Sequence, residues 1–314
     1  MIDRIGIIGG GMIGASMASL FAGNGVEAVL VEQPGFGARA DENCKAIYND
    51  LKKHNLVNEK QAECALRRIQ VFESYEPLSD MEFIFECVFE RTSVKHAVYA
   101  EIEKVCTKLR AIASSTSAIS ADELAVGFQS EVLRSRHVVA HPWNPPHLAP
   151  CVEVVKSRYV CEEAVEFTRS ILMSVGKKVV VLEKSIPGFI GNRLQYAMLR
   201  EAIHIVEEGA ATPEMIDETL KTSFAPRYTE IGIFEHFDNC GQDLTFDICN
   251  YLFPDLCDEK RAQKSLRENV ENGFLGLKSG RGMLNWENVD PVAFRERAAS
   301  PYYRFFDWLL PTEE

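Results

Sequence analysis

The sequence predicts an α/β fold, a mainly parallel sheet followed by an all-helical C-terminal domain, and three observations predict it. Short β-branched runs alternate with helical stretches as far as residue 183. A glycine-rich turn directly follows the first of those runs. Beyond residue 187 the apolar residues recur at helical spacing and no further strand-like run occurs.

In order, the strand candidates are "RIGIIG" (4–9), "EAVLVE" (27–32), "RIQVF" (68–72), "EFIFECV" (82–88), "AIAS" (111–114), "HVVAH" (137–141), "VEVV" (152–155) and "KVVVLE" (178–183). Helical stretches between such runs build βαβ units, which force neighbouring strands parallel. In the second half, Ile190, Leu194, Met198 and Ile205 mark one face of a helix that ends at Gly209. Thr212 is placed to cap the next helix, with Pro213 at its first position and Glu214 in its first turn. A further helix is expected through "CDEKRAQKSLRENVENG", with Ala262, Leu266 and Val270 on one face and Gly273 at its end. The expected division is 1–186 for the α/β domain and 187–314 for the helical one.

Composition excludes several classes. The chain has 314 residues, 46% of them hydrophobic and 25% charged, so it can bury two domain-sized cores. A net charge of −12 argues against nucleic-acid binding, which needs a clustered basic face. Nine cysteines without a C-x-x-C pair give no disulfide framework and point to a reducing compartment. The N-terminal "MIDRIGIIGGGMIG" is apolar but broken by glycines, and no run of about eighteen apolar residues occurs. The expectation is a cytoplasmic protein with no membrane span and no metal site.

The glycine turn carries the first chemistry. Gly9, Gly11 and Gly14 form G-x-G-x-x-G between a strand and a helix, and Met12 and Ile13 within this turn are expected to contact the cofactor with them. Gly9 permits a tight turn, Gly11 lets the backbone approach a pyrophosphate, and Gly14 lets helix and strand pack closely. Free N–H groups at the helix start then favour a diphosphate. Glu32, eighteen residues beyond Gly14, ends the second strand, where a carboxylate accepts ribose hydroxyls and repels a 2′-phosphate. The expected fold is Rossmann-type, with NAD rather than NADP as cofactor.

His141 closes a strand candidate and precedes the proline-stiffened loop "PWNPPHLAP". Two readings stand here. One is a half-buried ring satisfied by a backbone group. The other is an acid/base histidine whose Nδ1–H is held by Glu153, twelve residues on, leaving Nε2 to take a hydroxyl proton.

The chain resembles the L-3-hydroxyacyl-CoA dehydrogenase family over nearly its whole length. The family's "HFFNP…VE" is met by "HPWNPPHLAPCVE", its "ASNTSS" by "ASSTSA" (113–118), its "PGFVxNR" by "PGFIGNR" (187–193), and its terminal glycine–lysine turn by "GLKSGRG" (276–282). That resemblance implies His141 as acid/base, Glu153 as its partner, and Ser117 and Asn192 as hydrogen-bond donors to the substrate oxygen. It also implies cofactor contacts at Glu90, Lys95, Ser117, Asn144 and Lys278, and a homodimer through the helical domain. Plainer roles remain open: a turn hydroxyl for Ser117, a helix cap for Asn192, and solvated charge for Lys95 and Lys278.

The motif spelling is similar to the branch containing L-gulonate 3-dehydrogenase and lambda-crystallin, which implies a free 3-hydroxy acid, L-gulonate- or carnitine-like. Arg227, in "FAPRYTEIG", is the candidate cation for its carboxylate, with an interhelical ion pair as the alternative. A CoA thioester is the second possibility, since basic pairs in "LKKHNLV" (51–57) and "ALRRI" (65–69) suit coenzyme A phosphates. The third, from another class, is a non-catalytic crystallin-like NAD-binding protein.

Overall fold

The computed structural model describes residues 2–306. All eight strand candidates form one sheet: β1 (Arg4–Ile8), β2 (Glu27–Val31), β3 (Ile69–Phe72), β4 (Phe83–Glu86), β5 (Ala111–Ser114), β6 (His137–Pro142), β7 (Cys151–Val155) and β8 (Lys178–Leu182). Their order is β3-β2-β1-β4-β5-β6-β7-β8. Pairing is parallel throughout except between β6 and β7, which run antiparallel.

Helices cover both faces: α1 (Met12–Gly23), α2 (Gly37–Lys53), α3 (Glu59–Arg67), α4 (Thr92–Val105), α5 (Ala121–Ala125), α6 (Glu131–Arg134) and α7 (Glu162–Ser174). The inner strands are buried on both sides because successive residues feed different cores. Ile5, Ile7, Phe83 and Phe85 join one apolar cluster with α1, while Ile8 and Ile84 join the other with α4. Asn58 and Gln61 cap α3 reciprocally, and Ser120 and Ser130 cap the short helices α5 and α6.

The sheet order reverses between β1 and β4, so a crevice opens beyond their carboxyl ends, where open α/β sheets take ligands.

The helices that follow are α8 (Gly191–Glu207), α9 (Pro213–Thr222), α10 (Ile233–Cys240), α11 (Gln242–Leu252), α12 (Lys264–Glu271) and α13 (Pro291–Tyr303). Thr212 caps α9 as expected, accepting from the Met215 N–H at 3.3 Å. The helix expected across residues 257–273 starts later, at Lys264, and leaves Ala262 outside it. Tertiary hydrogen bonds override the local pattern. Glu201 accepts the Cys257 N–H at 2.8 Å and Gln263 donates to the Arg200 carbonyl at 2.6 Å, so this stretch is held irregular against α8.

Two compact units emerge. One holds residues up to Ile190 together with the chain from Arg297 onward, and the other is Gly191–Glu296. Among the described residues, no helix is long and apolar enough to cross a membrane.

Beneath the crevice lies a buried polar network. Glu86, Lys95, Ser114 and His137 are fully buried. Glu86 accepts from Lys95 Nζ and the Val88 N–H, each at 2.8 Å, from Ser114 Oγ at 2.6 Å and from Tyr99 Oη at 3.2 Å. Tyr99 Oη also lies 3.3 Å from His137 Nε2. Burial, with the Lys95 charge nearby, pushes the His137 pKa down to about 3. His147 is held down to about 4 by burial and by Lys177.

Unfolded histidines titrate near 6.5, so below that pH the unfolded chain binds more protons than the folded one. The stability from these two neutral rings is complete above about pH 6.5 and is lost as pH falls towards about 4. Urea midpoints are therefore expected to drop steadily between about pH 6.5 and 5, above the main carboxylate range. A flat profile across that interval would contradict the burial assigned to these rings.

Candidate active site

The glycine turn closes as its spacing requires. Gly9 has φ +94°, and a side chain there would meet the Cys87 carbonyl oxygen at 2.7 Å. A Cβ on Gly14 would lie 1.8 Å from the Gly9 oxygen, so the first turn of α1 packs directly on the strand end. Gly11 is different: a Cβ there would meet nothing within 4 Å. It is the N-cap of α1 and offers no side-chain cap, which leaves the first-turn N–H groups facing open space.

A cavity of about 730 Å³ starts at this turn, within the usual range for a cofactor site. Gly9, Gly11, Met12, Ile13 and Glu32 line one side, and Cys87, Val88 and Phe89 line the other. Glu32 is fixed by accepting the Gly10 and Gln33 N–H groups, both at 2.7 Å. Asn43 Nδ2 donates to the Gly10 carbonyl at 2.8 Å, so the peptide groups flanking this glycine are pinned on both sides.

A dinucleotide fits these residues. There is an uncapped helix start for the diphosphate, a carboxylate at the second strand's end for a ribose, and apolar walls at Met12, Phe36 and Phe89 for the ring systems. Burial pushes the Cys87 thiol up to about 12, so it remains a neutral wall rather than a nucleophile. Among the described residues, no group of three His, Cys, Asp or Glu side chains could hold a metal ion.

His141 and Glu153 are cross-strand partners in the antiparallel β6–β7 pair, with twelve residues folding back to set them face to face. His141 Nδ1 stands 2.9 Å from Glu153 Oε2, and both side chains are buried. A carboxylate only accepts, so Nδ1 carries the hydrogen and Nε2 keeps the lone pair. The other carboxylate oxygen, Oε1, accepts the Ile190 N–H at 2.9 Å. Glu153 thus ties the imidazole to the chain that leads into α8.

The residue before that N–H is strained. Phe189 is buried at φ +52°, a left-handed conformation that bulky side chains rarely adopt. Its ring centroid lies 5.6 Å from that of His141, and Trp143 flanks the imidazole at 5.8 Å.

The loop between β6 and β7 is anchored from below. Lys177 Nζ is buried and donates to the Pro146 carbonyl and, at 2.7 Å, to the Ala149 carbonyl. Burial pushes its pKa down to about 7. On the same loop His147 Nδ1 lies 3.1 Å from Ser16 Oγ, on α1, and lines the cavity, while Asn144 is exposed just before a cis peptide bond to Pro145.

The remaining predicted residues separate into two groups. Ser117 lies on the exposed turn after β5, and Glu90 holds that turn. One Glu90 oxygen accepts from Thr116 Oγ1 at 2.5 Å and from the Ser117 and Ala118 N–H groups at 3.0 and 3.2 Å. Lys95 is not a solvated residue. It is fully buried, paired with Glu86, and 3.7 Å from Glu90. Asn192, Arg227 and Lys278 belong to the second unit. Asn192 is in the first turn of α8, and Lys278 is exposed in the glycine turn bridged by Gly276 and Arg281. Arg227 sits in a 3₁₀ turn with Nη1 3.2 Å from the ring nitrogens of His236, and among the described residues it makes no ion pair.

Sequence reasoning missed the α2 wall of the cavity and the loop histidine, His147. Ala40, Asn43 and Ile47 recur at helical spacing and all line the cavity, a signal that was available.

The comparisons with known proteins agree with this geometry. The family model described as 3-hydroxyacyl-CoA dehydrogenase, NAD binding domain, matches residues 4–186, and the C-terminal domain model of the same family matches 188–286. An L-carnitine dehydrogenase of Mesorhizobium japonicum is 32% identical over 245 residues, 77% of this chain and 65% of that enzyme. A solved 5-formyl-3-hydroxy-2-methylpyridine 4-carboxylic acid 5-dehydrogenase, described as NAD+ dependent, superposes with a TM-score of 0.87 at 27% identity, covering 100% of both chains. A solved (S)-3-hydroxybutyryl-CoA dehydrogenase of Ralstonia eutropha gives 0.75 at 27% identity, covering 91% of this chain and 99% of its own. With a fitted dinucleotide crevice and both family domains in sequence, the chain belongs to the 3-hydroxyacyl-CoA dehydrogenase family, as an NAD-dependent dehydrogenase acting on a CH–OH group.

Proposed function

We propose that the chain oxidises the 3-hydroxyl of an L-3-hydroxy acid to the 3-keto product, with a free carboxylate as the favoured substrate form. The observation that carries this reading is the buried His141–Glu153 pair, 2.9 Å apart. When bound, NAD supplies the hydride acceptor. His141 Nε2 takes the hydroxyl proton, and the Glu153 carboxylate supports the imidazolium that results. Ser117 and Asn192 hold the substrate oxygen, and Arg227 meets the carboxylate. Glu32 takes the ribose hydroxyls, and Glu90, Asn144 and Lys278 complete the cofactor contacts, while Lys95, fully buried against Glu86, reaches the cofactor side only through Glu90.

The NAD-binding domain runs from 1 to 186, and the helical substrate and dimerisation domain begins at 187, with the stretch from Arg297 packing back on the first unit instead of belonging to it. A homodimer is supported by the apolar side chains left on that domain: Phe234 is 82% exposed, Tyr251 83% and Phe246 66%, more than single-chain burial would leave. Cysteine usage without a disulfide framework supports a cytoplasmic setting.

The test is a spectrophotometric screen of NAD reduction with L-gulonate, L-carnitine, small 3-hydroxy acids and 3-hydroxybutyryl-CoA. Turnover of one or more free acids is the expected result. Activity confined to the thioester would replace the free-acid reading with the acyl-CoA one. NAD binding without any turnover would favour the crystallin-like role.

A further inference from the structure

The C-terminal family match ends at residue 286, yet the chain continues into α13 and then returns to the first unit from Arg297. This returning arm does not hang free. Phe306, only 4% exposed, enters an apolar cluster with Tyr48 and Leu51 of α2, Ala62 and Ala65 of α3, and Leu148 of the loop after β6. Ala299, Tyr302 and Tyr303 pack against the same cluster. The Tyr303 ring lies 4.1 Å from the His54 ring at a 30° interplanar angle, and its hydroxyl donates to Asp50 Oδ2 at 3.3 Å.

The surface so covered is the α2–α3 hairpin, which carries the basic pairs suited to a nucleotide tail. A coenzyme A tail needs cations for its phosphates and a flat apolar surface for its adenine. On this hairpin Lys52 pairs with Glu59 at 3.0 Å, Arg67 with Glu63 at 3.3 Å, and Arg68 donates to the Ala22 carbonyl at 3.4 Å. Exposed ion pairs are cheap to open, so they alone would not turn a polyphosphate away. The excluding elements are the Tyr303 ring packed at a tilt on His54, the buried Phe306 in the same cluster, and the Asp50 carboxylate, which repels phosphate.

We propose that the C-terminal arm, residues 297–306, is a specificity element that covers the α2–α3 hairpin and restricts the substrate to hydroxy acids without a nucleotide tail. This deepens, and rests on, the reading of the chain as a 3-hydroxy acid dehydrogenase.

The experiment is a calorimetric titration of the full chain, preloaded with NAD, with free coenzyme A, alongside the variants Tyr303→Ala and Phe306→Ser. Tyr303 is half-buried and its truncation leaves Phe306 in place, so that variant is expected to fold, with NAD affinity as the control. The full chain is expected to give no coenzyme A binding at millimolar concentration, and Tyr303→Ala to gain at least about tenfold in affinity. Micromolar binding to the full chain overturns the proposal, as does a folded Tyr303→Ala protein that still ignores coenzyme A. The titration needs no turnover, so it is decided even if no hydroxy acid is oxidised and the activity itself must be reassigned.

Discussion

His141→Gln is expected to lower kcat by about a hundred- to ten-thousand-fold, the usual worth of a positioned general base, while NAD affinity stays within about twofold. That loss corresponds to about 3–5 kcal/mol of barrier. The cofactor side is spared because His141 does not line the dinucleotide cavity. Glutamine retains polarity and part of the volume but has no lone-pair nitrogen that can take a proton.

Glu153→Gln separates positioning from charge. Its single carbonyl oxygen can accept either the His141 Nδ1–H or the Ile190 N–H, which the carboxylate now accepts on two oxygens. The expected result is a smaller fall in kcat than for His141→Gln, together with a stability loss of about 1–3 kcal/mol from the donor left unpaired. Steady-state kinetics with an active acid and a fluorescence titration of NAD check both. Turnover by His141→Gln at the parent rate would sink the assignment.

Lys95→Met is expected to destabilise the first unit by about 3–5 kcal/mol, the cost of leaving one partner of a buried ion pair charged and alone. Glu86 would keep its Ser114, Tyr99 and Val88 donors but lose its counter-ion in a fully buried position. That is a large part of the 5–15 kcal/mol typical of a folded domain. The double variant Lys95→Met/Glu86→Leu removes both charges and is expected to recover much of the loss. Urea unfolding measures both. A single-variant cost below about 1 kcal/mol would mean that the pair does not hold the polar network at the end of β4 as described. A catalytic consequence is expected too, because Lys95 lies 3.7 Å from Glu90, the residue that clamps the Ser117 turn.

The hairpin that carries the arm's cluster also forms a wall of the cofactor cavity. Ala40, Asn43 and Ile47 line the cavity, while Tyr48 and Leu51 of the same helix hold Phe306. One helix therefore serves the dinucleotide on one side and the C-terminal arm on the other. Leu148 extends the cluster to the loop that also bears Asn144 and His147.

The eight strands, the glycine turn and the caps were legible in the sequence because each rests on local rules. Side-chain period, turn chemistry and N-cap preference act within a few residues, so Gly9, Gly14 and Thr212 announce their roles without partners. The His141–Glu153 pairing was legible for a related reason: an antiparallel return of fixed length sets the two residues opposite one another. The late start of α12 was not, because Glu201 and Gln263 act across more than fifty residues of chain.

Burial and return paths are not written locally. Lys95 on a helix reads as a cofactor contact or a solvated charge until the sheet places Glu86 beneath it. "SPYYRFF" reads as the tail of a helical half until its rings meet α2 and α3. The sequence by itself determined the order of elements, the glycine turn and the His141–Glu153 pairing. Tertiary structure alone decided which charges are buried together and which surface the arm covers, since both depend on distant segments sharing one low-dielectric interior.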